Sequence, residues 1–75
     1  MNKAREKELR NLIRTIENNK NELERIKYDE EFYYDSIPEN LQSSYRAEES
    51  ERIIEELDDI LDNFNDIIDS LNEVL

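Results

Sequence analysis

Apolar residues recur along this chain in two runs of heptad rhythm, separated by a short irregular stretch. In the first run Leu9, Leu12, Ile16, Leu23, Ile26, Tyr33 and Ile37 alternate steps of three and four, with Asn19 and Glu30 standing at two of the seam positions. In the second run Ile53, Leu57, Ile60, Phe64, Ile67, Leu71 and Val74 do the same without a polar interruption. Such spacing keeps one side of a 3.6-residue helix apolar. Gly is absent and the one Pro lies between the runs, so neither run contains a helix breaker. The pattern predicts one helix over about residues 3–35 and a second over about 45–74, with residues 36–44 as the corner.

Pro38 disfavours helical geometry at Ile37 and cannot donate to a carbonyl four residues back. Ser36 and Glu39 have capping-box spacing, which predicts a short helical turn opening there. Ser43 or Ser44 is the natural N-cap of the second helix, with Glu48 and Glu49 near the positive end of its dipole. A corner this short returns the chain antiparallel beside itself. The expected fold is therefore all-α, a coiled-coil-like helical hairpin forming a single domain over residues 1–75.

Charge supports the antiparallel pairing. Residues 1–27 hold eight Lys/Arg against five Glu, a net of +3, whereas residues 28–75 hold two Arg against sixteen acids, a net of −14. An antiparallel hairpin lays the basic start of the first helix beside the acidic end of the second. Each of those ends opposes its own macrodipole, at a cost of roughly 0.3–1 kcal/mol per charge at most, which cross-helix attraction can offset.

The two helices are unequal in apolar width. With Leu57, Phe64 and Leu71 at heptad position a, residues Ile53, Ile60, Ile67 and Val74 fall at d, and Ile54, Leu61, Ile68 and Leu75 fall at e. The first helix has Leu9, Ile16, Leu23 and Glu30 at a, and Leu12, Asn19, Ile26 and Tyr33 at d. Its e row is Ile13, Lys20, Lys27 and Tyr34, polar in the middle. A two-helix seam needs only a and d, whereas a bundle needs the wider face. The e row of the second helix is thus expected to be left over. Burying it is worth roughly 1.5–3 kcal/mol per residue, comparable in sum to an association cost of about 4–15 kcal/mol. A homodimer forming a four-helix bundle is expected, with Ile54, Leu57, Leu61, Phe64, Ile68, Leu71 and Leu75 at its interface. The alternative is a dock for a foreign helix. Asn19, at a d position, is expected to fix register. Glu30 is expected to meet Ser50 near the corner.

Composition narrows the chemistry. There is no Cys and no His, which removes thiolate metal sites and the most common general base and metal ligand. The absence of Gly excludes phosphate-cradling loops and the calcium loop, and di-iron bundles need Glu-x-x-His. No enzyme activity, cofactor or metal is expected. No stretch approaches the roughly 20 apolar residues of a membrane span, and the charged start is not a secretory signal. A cytoplasmic protein is expected. A net charge of −11 argues against direct binding of nucleic acid or of a membrane with anionic lipid. The expected partners are proteins, a second copy among them.

Two sets of residues are candidates for binding a foreign protein. Tyr28 and Phe32 lie off the seam, four residues apart on the outer side of the first helix, as interface anchors do. Otherwise Ile37 and Leu41 would fold back over them and close the hairpin end. Asp58, Asp62, Asp66 and Asp69 step along one side of the second helix, with Glu55 and Glu73 beyond them. Carboxylates so placed are about 5–6 Å apart, resembling phosphates along a nucleic-acid strand. Otherwise they are a solvated face that keeps a small protein soluble.

The corner Ile37-Pro38-Glu39-Asn40-Leu41-Gln42-Ser43-Ser44, followed by an acidic Ile/Leu-rich helix, resembles that of small uncharacterised acidic helical-hairpin proteins of phages, mobile elements and gut bacteria. The likeness spans Glu30 to Leu75. It implies a phage or mobile-element origin and assigns no site residues. The function expected is a non-enzymatic dimeric interaction module. The alternatives are an acidic DNA mimic that inhibits a host nucleic-acid-binding or defence protein, and a structural coiled-coil adaptor in a larger assembly.

Overall fold

In the computed structural model, which describes residues 1–75, two long helices form an antiparallel hairpin about 60 Å long. Helix α1 spans Lys3–Asp35 and α2 spans Tyr45–Val74. The start of α1 is capped by Asn2, whose side-chain oxygen accepts from the Arg5 N–H at 2.8 Å. Helix α2 is capped by Ser44, the second of the two candidate serines, whose hydroxyl accepts from the Ala47 N–H at 3.3 Å. Each cap satisfies one of the amide groups that a helix start leaves without a partner.

The corner contains a one-turn 3-10 helix, Glu39–Leu41. Ser36 does not open it. Its hydroxyl turns back and donates to the Tyr33 carbonyl at 2.6 Å, closing α1 instead. The extended backbone of Pro38 leads into the turn, which has no side-chain cap. The capping-box spacing is there, but the hydroxyl goes to the Tyr33 carbonyl, which also accepts from the Ser36 N–H. Gln42 then braces the corner, its amide donating to the Ile37 carbonyl at 2.9 Å.

The seam between the helices is built from positions a and e of both, and not from a and d. On α2 the buried residues are Ala47, Ser50, Leu61 and Ile68, with Ile54, Leu57, Phe64 and Leu71 half-buried between them. On α1 Ile13 is buried, and Ile16, Lys20, Leu23, Lys27, Glu30 and Tyr34 are half-buried. The reason lies in the two lysines. Their charged ends reach outward while their aliphatic stems lie along the seam, so that only 25% of the Lys20 side chain and 19% of the Lys27 side chain is exposed. The e row of α1, polar by residue type, therefore covers the e row of α2. The expected leftover e row is corrected accordingly.

Lys27 pairs across the seam with Asp58, which fixes the register. Eight residues towards the turn on each helix bring Asp35 level with Ser50, whereas Glu30 is level with Glu55. Glu30 and Ser50 therefore do not meet, and the buried Ser50 hydroxyl oxygen has no hydrogen-bond partner. The corner has its expected bounds, but α2 begins beyond the level at which α1 ends, which shifts the register. Asn19 is also exposed, outside the seam of the hairpin.

Ala47 and Ser50 are the small residues that let α1 and α2 approach near the closed end, where they are 0% and 2% exposed. Ser50→Ala removes an unsatisfied buried hydroxyl and improves helix propensity. It should raise unfolding stability by about 1 kcal/mol, read as a higher midpoint in urea with an unchanged slope.

Candidate functional site

A heptad register fixes where the remaining apolar residues point. At 100° per residue, three steps carry d about 60° to one side of a, and four steps carry e about 40° to the other. With a and e in the seam, d flanks it on one side and b on the other. The two helices run in opposite directions, so both d rows emerge on the same broad face of the hairpin, and both b rows on the opposite face.

Side-chain positions agree with this geometry. Asp58, at b, meets Lys27, at e. Near the open end Arg10 and Glu17 of α1 share a shallow depression with Asn72 and Leu75 of α2, again b and e positions. On the other face stand Leu12, 50% exposed, Ile26 and Tyr33 of α1, and Ile60, Ile67, 50% exposed, and Val74 of α2. Ile53 is half-buried at the turn end of the same row, and Asn19 interrupts the row on α1. This apolar face, broken on α1 by Asn19, is the candidate site.

The residues expected at a dimer interface are therefore placed differently. Ile54, Leu57, Leu61, Phe64, Ile68 and Leu71 belong to the seam within one hairpin. Leu75 lies at the open end, on the b side. The expected seam between the two helices through a and d is corrected, for it is the d row that is left uncovered. Its signal was present in the sequence: lysines at two e positions of α1, each with an acid four residues later, mark a row that can lie at a seam edge.

Tyr28 and Phe32 are exposed, Phe32 by 79%, so Ile37 and Leu41 do not close over them. They occupy the outer edge of α1. Tyr45 is equally exposed but occupies the outer edge of α2, so the aromatics of this region do not form one patch. The acidic row is also revised. Asp58 is engaged by Lys27, which also reaches Glu31 at 3.3 Å. The row facing outward runs through Glu55, Asp59, Asp62, Asp66, Asp69 and Glu73, at alternating c and f positions. All six are exposed and none forms an ion pair.

The other ion pairs lie along single helices. Arg52 bridges Glu49 and Glu56, and its hydrogen bonds raise its own basicity and hold the Glu49 carboxyl below its usual range. Arg25 similarly bridges Glu22 and Asp29 at 3.2 and 2.8 Å. No group of three acids is close enough to share a metal ion, and no helix is long and apolar enough to cross a membrane. In comparisons with known proteins the chain matches no family model, no curated protein and no solved structure.

The Lys27–Asp58 pair gives a test of the register. Its hydrogen bond to Asp58 holds the Lys27 ammonium above the ordinary lysine value of 10.5. The stability this contributes is fully present below pH 10.5 and is lost as pH rises through the raised value. Lys27→Met keeps the stem over the seam and removes the charge. Thermal melts followed by circular dichroism should show the variant less stable than the original chain below pH 10.5, with the difference shrinking above it. A difference independent of pH would mean that the pair does not form.

Proposed function

We propose that this chain is a non-enzymatic protein-interaction module that works as a homodimer, joined through the d rows of both helices into a four-helix bundle. The observation that carries this reading is the exposed apolar face. A lone hairpin buries 5 of its 75 residues and leaves a row of Ile, Leu, Val and Tyr in water along both helices. A second layer of helices supplies the core that a chain of this size otherwise lacks. The phage or mobile-element origin implied by the corner belongs to the same proposal.

Light scattering at micromolar concentration should give about twice the 9.1 kDa chain mass. Ile60→Glu with Ile67→Glu places two charges on the d face and should weaken association by at least tenfold per site, since each lost apolar burial is worth roughly 1.5–3 kcal/mol. Leu61→Glu instead breaks the seam and should unfold the hairpin. A monomeric mass for the original chain would sink the dimer, and a double variant that stays dimeric would sink the d face as its interface. Tyr28→Ala with Phe32→Ala should leave mass, helicity and melting nearly unchanged, which frees those two side chains to anchor a foreign protein.

The outward carboxylate row favours a second reading, an acidic mimic of nucleic acid. Six unpaired acids on a rigid helix present negative charge at regular spacing. A mimic would bind a basic DNA-binding protein in a steeply salt-dependent way. Changing Asp62, Asp66 and Asp69 to Asn should then abolish binding to that protein without unfolding the bundle. Undiminished binding would leave the row as a solvated surface. A structural adaptor shares the fold and the dimer, and differs only in what the outer edges hold.

A further inference from the structure

We infer that Arg25 and Arg52 control self-association through the d face, by neutralising an acidic rim that would otherwise repel a second copy. The inference rests on the dimeric reading above and adds its electrostatic control. Position g lies about 60° beyond d, on the side away from the seam. The two g rows therefore form the long rims of the apolar face. Their charged members are Glu8, Glu22 and Asp29 on α1 and Glu49 and Glu56 on α2, with no cation among them. Whichever way a second hairpin lies on the face, its rims bring acids to acids.

Four of those five acids are held by arginine. Arg25 donates to Glu22 at 3.2 Å and to Asp29 at 2.8 Å. Arg52 donates to Glu49 through two nitrogens and reaches Glu56 at 2.8 Å. Each arginine stands at position c and spans the rim acids three residues before and four residues after it. The d residue between those acids, Ile26 on α1 and Ile53 on α2, is thus bordered by a clamped pair. Arg52 has other acids within reach. Glu48, four residues before it, and Glu55, three residues after it, are equally close along the helix. The guanidinium turns away from both and towards the rim. Around Arg25 the matching positions are Asn21 and Tyr28, so the rim acids are its only partners along the helix. The hydrogen bonds from Arg52 hold the Glu49 carboxyl below its usual range, so the acid it clamps is ionised.

Like charges set against each other across an interface oppose association, and the repulsion grows with the product of the two charges. The four clamped acids and two arginines of one copy sum to −2, and the acids alone to −4, so the product for two copies rises from 4 to 16 when the arginines are removed. Salt sets how far that repulsion reaches, about 30 Å at an ionic strength of about 0.01 M and about 3 Å at about 1 M. Arg5 and Arg46 stand in the d rows themselves, before the span of these acids on each helix, and leave the clamps as the cations of the rim. The unpaired acids from Glu55 to Glu73 lie further round α2, beyond the rim.

Analytical ultracentrifugation over a dilution series, in low and in high salt, reads the dissociation constant of the full chain. Arg25→Gln with Arg52→Gln should weaken the dimer on the order of tenfold at about 0.01 M salt and leave it nearly unchanged at about 1 M. Lys7→Gln with Arg14→Gln also removes two positive charges, from the exposed outer edge of α1, and should have a smaller effect. Adding Glu22→Gln and Glu49→Gln to the arginine pair returns the rim to its original charge without either clamp, and should restore the original affinity. Circular dichroism checks that each variant keeps its helicity. If the arginine pair weakens the dimer equally at both salts and the added Gln substitutions do not restore it, the arginines only brace their own helices and the inference falls. An arginine pair that dimerises as tightly as the Lys7 and Arg14 control also overturns it, and leaves the dimer standing. An original chain that is monomeric at both salts overturns the inference and the dimeric reading together.

Discussion

The structure depends on the covering of one helix face by lysine stems. Helix α2 has apolar residues at a, d and e, and α1 does not have enough of them to match. What settles the hairpin is that Lys20 and Lys27 act as hydrocarbon along most of their length and as cations only at the tip. Once they lie along the seam, the a and e rows of α2 are closed by α1. The d rows then point the same way from both helices. The acid pairs of these lysines, Glu24, Glu31 and Asp58, secure the arrangement at the edge of the seam.

The gross architecture was legible in the sequence because every local signal agreed. Two uninterrupted heptad runs, a single Pro and a serine-rich corner can be read only as two helices and a turn, and α1 and α2 form a hairpin. The caps were half legible. Ser44 does what its type suggests. Ser36 does not, because a serine at a helix end has carbonyls behind it as well as amides ahead, and it bonded to the former.

The candidate face was less legible, for one physical reason. A heptad assignment sorts residues as apolar or polar, and an extended lysine is both. Counting Lys20 and Lys27 as polar assigned the seam to a and d and left e over. The structure rotates each helix by a fraction of a turn and leaves d over. That small rotation also moved Asn19 out of the hairpin seam, separated Glu30 from Ser50, and exchanged Asp58 for Asp59 in the outward acidic row. Exposure of Tyr28 and Phe32 did not depend on it, because their outer positions stay outside under either register.

The order of the two helices along the chain bears on its synthesis. Of its 64 backbone hydrogen bonds, 55 lie within the helices, so each can form as soon as its own residues are available. The helix made first is α1, narrow in its apolar stripe and rich in lysine and arginine. Polypeptides are extended at about 5–20 residues per second, whereas closing a loop of about ten residues takes about 10–100 ns. The sticky second helix thus follows its cover along the chain, and closing the corner between them is fast compared with synthesis. With the order reversed, a broad apolar helix would wait for seconds, unprotected, in a cell crowded with other nascent chains.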